Sequence, residues 1–295
     1  MDANIFLPAI TAVLAIVFFV LLADQWRQRR RAYQAVWALG ILFFGVAVAC
    51  EAIAAATGWN EPIYLLWYLT GAVWTAGWLG LGNAFLLGRT RFGFAFALCL
   101  FFAGLFTFLT ARAEPEIYES ASTTAMLFFL VALVLALAVS VETYFQNWRW
   151  PWMAFVGVAG ATVLSIVLVA LADIPEPGYA LDPETGVPTA ELLPPELRLL
   201  TPFMNVTGAF ALILGAVFSA YVFMPKRRVL AYNIDPNQPG DQFLFNLLIA
   251  PVAIVVNFAA SLPGALKALF TGKINSRVPA TLLIAIGAFI PAVTD

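Results

Sequence analysis

Long apolar runs, separated by short polar or Pro/Gly-containing connections, dominate the chain. Seven of these runs hold about twenty residues with few or no charges, the length that a helix needs to cross a hydrocarbon layer roughly 30 Å thick. The pattern therefore predicts an all-α polytopic transmembrane helix bundle. The seven predicted spans are 5–23, 35–57, 63–87, 93–110, 122–144, 151–172 and 201–224.

Two further apolar runs follow the seventh predicted span. The run 243–262 is long enough to cross a membrane, whereas 278–293 is marginal. Two additional spans would place the cations at 267, 273 and 277 outside, and the alternative is an inner-surface or re-entrant hairpin. We predict two spans, because length usually outweighs three charges. The expected organisation is a seven-helix bundle over 1–228, a cytoplasmic connection over 229–242 and a C-terminal hydrophobic hairpin over 243–295.

The connections between spans separate positive from negative charge. Basic residues occupy 27–31, 89–91, 149 and 226–228, and the alternate connections are mostly acidic. The positive-inside rule then predicts that the basic connections are cytoplasmic and that the N-terminus lies outside. The first run, followed at once by arginines, is typical of a retained anchor rather than a cleaved signal peptide. We expect a multi-pass protein of the bacterial plasma membrane, with the lipid bilayer as its partner and no role in nucleic-acid binding.

The longest external connection, 173–200, is rich in proline and lacks sustained periodicity. Such segments are extended or turn-forming and rarely build a core of their own. The composition favours a solvated crossover packed on the outer rim of the bundle. A binding lid is the alternative, since long loops sometimes have that role.

Composition excludes several classes of membrane chemistry. Of the 295 residues 62% are hydrophobic, only 11% are charged and none is histidine. Histidine-ligated haem, zinc proteolysis and histidine phosphotransfer are therefore disfavoured for this chain alone. A retinal Schiff base is disfavoured because the seventh span contains no lysine. No nucleophile lies near an activating base, so we predict that the protein is not an enzyme; the pattern identifies no cofactor and no metal site.

Glu51 is the one carboxylate well inside a predicted span, which makes it a candidate functional residue. Small residues share its helical face, so it should point into protein rather than lipid. An ionised carboxylate costs at least about 2–3 kcal/mol in the membrane on insertion scales. We therefore expect Glu51 to be protonated and to hydrogen-bond with Tyr68, which lies at a similar depth, or with a backbone carbonyl.

The third predicted span carries aromatic residues beside several glycines. Trp74 and Trp78 lie too deep to be interfacial anchors, so they could form one wall of a site for a flat lipophile. Plain helix packing explains the same pattern. The resulting ligand-binding hypothesis comprises Glu51, Trp67, Tyr68, Trp74 and Trp78.

Three segments carry a resemblance to known proteins. They are GWNEP at 58–62 with the following YLLWYLTGAVWTAGWLGLGNAFLLGR, the basic run that ends at Leu230, and the later NLLIA. On these segments the chain resembles a family of bacterial polytopic membrane proteins of uncharacterised function. Its first seven helices are similar in layout to the seven-helix sensor region at the N-terminus of some histidine kinases. This resemblance implies a binding or sensory role.

The sequence therefore predicts a non-catalytic binding or sensory component, or a membrane subunit of a larger assembly, with a lipophilic ligand or a membrane protein as partner. The alternative is a carrier for a small neutral or lipophilic solute. A weak internal repeat favours the carrier, because the triplet Thr-Gly-Ala at 70–72 recurs at 207–209, and both copies are followed by basic residues.

Overall fold

The computed structural model describes residues 3–183, 186–233, 240–273 and 278 of the chain. Within them the order is α1 (Ala3–Arg29), α2 (Ala32–Thr57), α3 (Glu61–Trp67), a π-helical segment (Tyr68–Trp74), α4 (Thr75–Leu86), α5 (Phe92–Ala113), α6 (Pro115–Tyr118), α7 (Ser122–Tyr144), α8 (Trp150–Leu171), β1 (Ala180–Leu181), β2 (Pro188–Thr189), α9 (Pro195–Phe223) and α10 (Gly240–Phe270). This order confirms the predicted all-α class.

Seven of the described helices are long and apolar enough to cross a membrane, as expected for an integral membrane protein. They are α1, α2, α5, α7, α8, α9 and the part of α10 from Val252 to Phe270. The third predicted span, 63–87, corresponds to the continuous helical segment 61–86, which consists of α3, the π-helical segment and α4. All seven spans of the predicted bundle therefore coincide with helical segments.

The largest differences between the predicted and observed spans lie at the end of α1, the start of α9 and the end of α10. Helix α1 extends to Arg29 instead of residue 23, and α9 begins at Pro195 instead of 201. Helix α10 continues to Phe270, so the predicted end of the eighth span at 262 is wrong. Hydropathy marks where apolar residues end, whereas a helix continues for as long as its backbone hydrogen bonds do. Residues 279–293 of the predicted span 278–293 lie outside the described residues.

Contacts divide the chain into two compact units. Unit 1 comprises Met1–Thr143 with Asn147–Leu212, and unit 2 comprises Tyr144–Gln146 with Ile213–Asp295. In unit 1, α2 packs against α1 on one side and against the segment 61–86 on the other, and this segment also contacts α8. Its residues Tyr64, Val73, Leu81 and Ala84 are fully buried, so a central helical segment organises the unit.

Glycine allows α4 and α9 to approach at backbone distance. A Cβ atom added to Gly80 would lie 2.5 Å from the carbonyl oxygen of Gly208, and one added to Gly208 would overlap the backbone of Ala76. Small residues at helix interfaces in membranes permit this kind of contact. The side-chain amide of Asn83 donates to the carbonyl oxygens of Ala211 at 3.3 Å and Leu212 at 3.0 Å, which further fixes α4 against α9.

The connection 173–200 folds back onto the start of the segment 61–86. Its strands β1 and β2 pair antiparallel. The Tyr64 hydroxyl donates to the carbonyl of Thr189, and the Tyr179 hydroxyl donates to the carbonyl of Trp59, both at 2.8 Å. Gly178, with φ +86°, lies directly against Glu61. The described part of this loop therefore packs against one end of the segment 61–86, and the choice between a crossover and a binding lid stays open.

In unit 2, side chains of α10 hold the segment that follows α9. Asn257 accepts hydrogen bonds from the backbone nitrogens of Val229 and Leu230 and donates to the carbonyl oxygen of Leu230. The hydroxyl of Ser261 accepts from the backbone nitrogen of Arg227 at 2.9 Å. These polar groups satisfy backbone atoms that no longer belong to a helix.

Candidate functional site

The five predicted site residues lie in unit 1, but the predicted pairing between two of them is wrong. The indole nitrogen of Trp67 donates to Oε1 of half-buried Glu51 at 2.8 Å. The Tyr68 hydroxyl instead shares a 2.7 Å hydrogen bond with Oγ1 of Thr201 in α9. Neighbouring residues of a helix point in directions about 100° apart. Equal depth was therefore insufficient to identify the partner of Glu51.

The two deep tryptophans are each bound to a hydroxyl group of α8. Nε1 of Trp74 donates to Ser165 at 2.8 Å, and Nε1 of Trp78 donates to Thr162 at 3.0 Å. The ring of Phe43 meets both indoles edge-on, at centroid distances of 5.0 and 6.0 Å. The polar edges of both indoles thus have protein partners, and their rings pack against α2.

The glycines that were expected to shape a lipophile site face protein atoms. Gly77 faces the end of the Met204 side chain, and Gly82 faces the indole of Trp37. Trp37 also donates to the carbonyl oxygen of Leu79 at 3.1 Å. These contacts give the glycines a role in helix packing. The assignment of the five residues to a ligand stays a prediction.

The segment 61–86 contains a π-helical turn between the two groups of aromatic contacts. The backbone nitrogen of Thr75 bonds the carbonyl of Thr70, five residues earlier. The hydroxyl of Thr75 donates to the same carbonyl at 2.6 Å, and that of Thr70 donates to the carbonyl of Leu66 at 2.6 Å. Such insertions frequently occur at functional sites. Here the turn sets the orientation of Trp74 and Trp78 relative to Trp67.

A cavity that the sequence analysis did not identify opens where three connections of unit 1 meet. It has a volume of about 850 Å³, within the roughly 300–1,000 Å³ usual for small-molecule sites. We call it the arginine cavity, after three of its lining residues. It is lined by Arg30, Arg31, Ala32, Tyr33, Phe85, Leu86, Gly88, Arg89, Asn147, Trp148, Pro151 and Trp152.

The three arginines of the cavity carry its charge. Within the described part of the chain, Arg30, Arg31 and Arg89 form no ion pair with a carboxylate, and all three are exposed. The guanidinium of Arg30 lies 5.0 Å from the ring centroid of Trp26. Guanidinium groups remain protonated at physiological pH and bind oxyanions with two parallel hydrogen bonds. The cavity is therefore a concentrated, unneutralised positive site.

Two helices begin beside the cavity. Helices α2 and α8 begin at Ala32 and Trp150, and neither N-cap residue makes a side-chain capping bond. Residues of the first turn of each helix line the cavity. The first turn of a helix presents backbone N–H groups and the positive end of the helix dipole. Only α2 offers first-turn N–H groups here, at Ala32 and Tyr33. In α8, Pro151 has no N–H and the N–H of Trp152 donates to the carbonyl oxygen of Arg149 at 2.9 Å, so this helix contributes its dipole alone.

Local backbone geometry and one buried contact fix the shape of the cavity. Arg30 and Trp148 have positive φ angles, 52° and 56°, which non-glycine residues seldom adopt. Buried Trp150 donates from Nε1 to the carbonyl oxygen of Gly88 at 3.1 Å and so joins the end of α4 to the start of α8. These contacts are internal to the protein and hold the connections on which the cavity residues lie.

In the sequence, the arginines of the cavity serve only as topology signals. The arginines marked the cytoplasmic side, and nothing in their spacing showed that Arg30, Arg31 and Arg89 would converge on one space. One sequence pattern does relate two of these connections: a tryptophan followed by an arginine occurs at 26–27 and again at 148–149. Interfacial tryptophans are common enough in membrane proteins that this signal alone is not specific.

Comparison with protein-family models, with curated proteins and with solved structures finds no match to this chain.

Proposed function

We propose that this protein is a non-catalytic binding component of the bacterial plasma membrane, with a sensory role or a role as a membrane subunit, and that the arginine cavity is its recognition site. The observation that carries the proposal is the convergence of Arg30, Arg31 and Arg89 with the N-terminus of α2 on one cavity. This arrangement supports recognition of an anion.

The lining residues suit binding better than reaction. A general base or a nucleophile is usually a carboxylate, a histidine, a cysteine or an activated hydroxyl. Apart from the Tyr33 phenol, the lining side chains are arginines, an amide, aromatic rings and apolar groups. Arginine holds its proton too tightly to act as a base at neutral pH.

The charge pattern supports an orientation in which the cavity opens to the cytoplasm. The connections that form it include 27–31 and 89, two of the basic segments that the positive-inside rule assigns to the cytoplasmic side. The acidic connections and the 173–200 loop would then face outward. The resemblance to the sensor regions of histidine kinases suggests that occupancy is reported to a partner protein. The carrier alternative stays a prediction.

Binding of a defined anion tests the proposal. Pyranine, a flat fluorescent trisulfonate, carries charges that the arginines should bind and a ring that Trp148 and Trp152 should contact. Fluorescence anisotropy on the detergent-purified protein should show saturable binding, weakened about tenfold or more in Arg30→Gln/Arg31→Gln.

The matched control is Arg27→Gln/Arg29→Gln, which removes the same charge from the same end of α1 but does not alter the lining of the cavity. It should bind within about twofold of wild type, because only contacts outside the site are lost. Equal weakening by both double variants would show that net charge attracts the dye, and would overturn the assignment of the cavity.

A further inference from the structure

The arginine cavity continues into an apolar, exposed surface on one side. Trp152 is 59% exposed and Leu86 is 38% exposed, and both line the cavity. Farther along α8, Val156 is 66% exposed and Val163 is 60% exposed. Residues four and eleven positions beyond Trp152 return to about the same face of a helix. In a membrane helix, exposed apolar residues of this kind contact lipid.

The cavity therefore combines two requirements that a single amphiphile meets. Its arginines and the N-terminus of α2 favour an oxyanion, and its exposed Leu86 and Trp152 favour contact with a hydrocarbon chain. A free inorganic anion would satisfy the first requirement only. A phosphate esterified to a glycerolipid would satisfy both, with the phosphate among the guanidinium groups and the acyl chain along α8.

Interfacial geometry supports the same ligand. Tryptophan side chains favour the level of the lipid headgroups, where the ring meets hydrocarbon and the indole N–H meets polar groups. Trp148 and Trp152 line the cavity at the start of α8, at the end of a membrane-spanning helix. The amide of Asn147 adds a neutral hydrogen-bonding group suited to a hydroxylated headgroup.

We propose that the arginine cavity binds the phosphate group of an anionic phospholipid taken directly from the surrounding leaflet. This inference rests on the proposed function, because it names the ligand class of that same site. An anionic phospholipid and a soluble phosphate ester both present an oxyanion to the arginines. Only the phospholipid also has an acyl chain, and this difference distinguishes the two ligands.

Native mass spectrometry of the full chain, extracted in mild detergent and titrated with defined lipids, tests the inference. The probes are phosphatidylglycerol, zwitterionic phosphatidylcholine and, for the soluble arm, glycerol 1-phosphate. We expect one tightly held phosphatidylglycerol per chain, with an affinity about tenfold or more above that of phosphatidylcholine and of glycerol 1-phosphate. Arg30→Gln/Arg31→Gln should abolish this preference, and Arg27→Gln/Arg29→Gln should keep it.

A second, single variant tests the same site in case the double variant Arg30→Gln/Arg31→Gln does not fold. Arg89→Gln removes one cavity arginine from a different connection, and its control, Arg149→Gln, removes an exposed arginine that lies beside the cavity without lining it. Arg89→Gln should lower the affinity for phosphatidylglycerol at least about threefold relative to Arg149→Gln.

The outcomes separate the two proposals. Retention of phosphatidylglycerol that is unaffected by the cavity variants, or equal binding of phosphatidylcholine, would overturn the lipid site. Competition by glycerol 1-phosphate at similar concentrations would show that the acyl chain contributes nothing, which overturns the lipid source but leaves the binding function intact. If pyranine, glycerol 1-phosphate and phosphatidylglycerol all fail to bind at the cavity, both proposals are wrong.

Discussion

The indole nitrogen of Trp67 donates a 2.8 Å hydrogen bond to Oε1 of Glu51, so the only carboxylate well inside a predicted span is held by a neutral donor on the next helical segment. The same tryptophan meets Trp59 edge-on at a centroid distance of 5.5 Å. Glu51 thereby connects α2 to the segment 61–86 near the start of that segment. Its nearest described polar contact supplies no positive charge.

This contact predicts a clear difference between two substitutions of Glu51. Glu51→Gln keeps an oxygen that accepts from Trp67 and should change the free energy of unfolding by less than about 1 kcal/mol. Glu51→Leu leaves the indole N–H without an acceptor and should cost about 1–3 kcal/mol. Reversible unfolding in mixed micelles measures both values. Trp67→Phe supplies the reciprocal deletion, and the double variant should then show coupling between the two sites.

A different result would identify a different role. If Glu51→Gln folds with wild-type stability but abolishes a pH-dependent activity, Glu51 acts through its proton or its charge. If Glu51→Gln costs as much stability as Glu51→Leu, the hydrogen bond to Trp67 is not what the carboxylate contributes.

Close approach of α4 and α9 predicts that alanine is destabilising at two glycines. A Cβ at Gly80 would meet the Gly208 carbonyl at 2.5 Å, and neither backbone can move without separating the helices. Gly80→Ala and Gly208→Ala should each cost about 1–3 kcal/mol. Gly160→Ala on α8 is the control, because no atom lies within 4 Å of its added Cβ. It should be neutral or stabilising by up to about 1 kcal/mol. Equal costs at all three positions would contradict the contact.

The hydroxyl partners of the deep tryptophans allow the lipophile hypothesis to be tested against plain packing. Thr162→Val and Ser165→Ala each leave an indole N–H without its acceptor and should cost about 1–3 kcal/mol whichever role is correct. Trp74→Leu/Trp78→Leu should remove a copurifying pigment or quinone only if the pair binds one. Organic extracts of wild-type protein that contain bulk lipid alone would eliminate the site.

The sequence predicts features that depend on local composition, such as the helices, better than features that depend on distant residues meeting, such as the cavity. Hydrocarbon thickness sets the length of a span, so α2, the segment 61–86, α5, α7 and α8 were located by counting apolar residues. The partner of Glu51 depends on the direction in which each side chain leaves the helix. Trp67 and Tyr68 are consecutive and point about 100° apart, so depth alone does not distinguish them. The arginine cavity depends on three distant connections converging, and Arg89 carries no local sign of its neighbours.

Charge segregation predicts which connections face the outside of the cell. Glu116→Cys lies in an exposed acidic connection and should react with a membrane-impermeant maleimide in intact cells. Arg149→Cys lies in an exposed basic connection and should react only after the cells are opened. The native thiols Cys50 and Cys99 are buried, so the background should be low. Labelling of Arg149→Cys but not Glu116→Cys in intact cells would invert the proposed orientation.

The last prediction concerns Asn257, which holds the segment after α9 in unit 2. The residue is 1% exposed. Its side-chain oxygen accepts from the backbone nitrogens of Val229 at 2.7 Å and Leu230 at 2.9 Å. Its side-chain nitrogen donates to the carbonyl oxygen of Leu230 at 2.8 Å. Asn257→Leu removes all three bonds, each of which contributes about 0.5–1.5 kcal/mol. Arg227 and Arg228 are exposed in the folded protein, and the segment should then open more often and let its backbone enter the trypsin active site at these two residues. Each 1.4 kcal/mol lost corresponds to about tenfold faster cleavage when opening and closing are fast relative to cleavage.

Two further substitutions show whether these bonds, rather than α10 as a whole, protect the segment. Ser261→Ala removes the acceptor of a single bond from the Arg227 nitrogen, so it should accelerate cleavage less than Asn257→Leu does. Val252→Ala changes an exposed apolar residue of the same helix and should leave cleavage at the wild-type rate. Asn257→Asp keeps the acceptor for both nitrogens but places a second oxygen opposite the Leu230 carbonyl, so its cleavage rate should fall between those of wild type and Asn257→Leu. Equal cleavage of wild type and Asn257→Leu at Arg227 and Arg228 would show that the segment is held by other contacts.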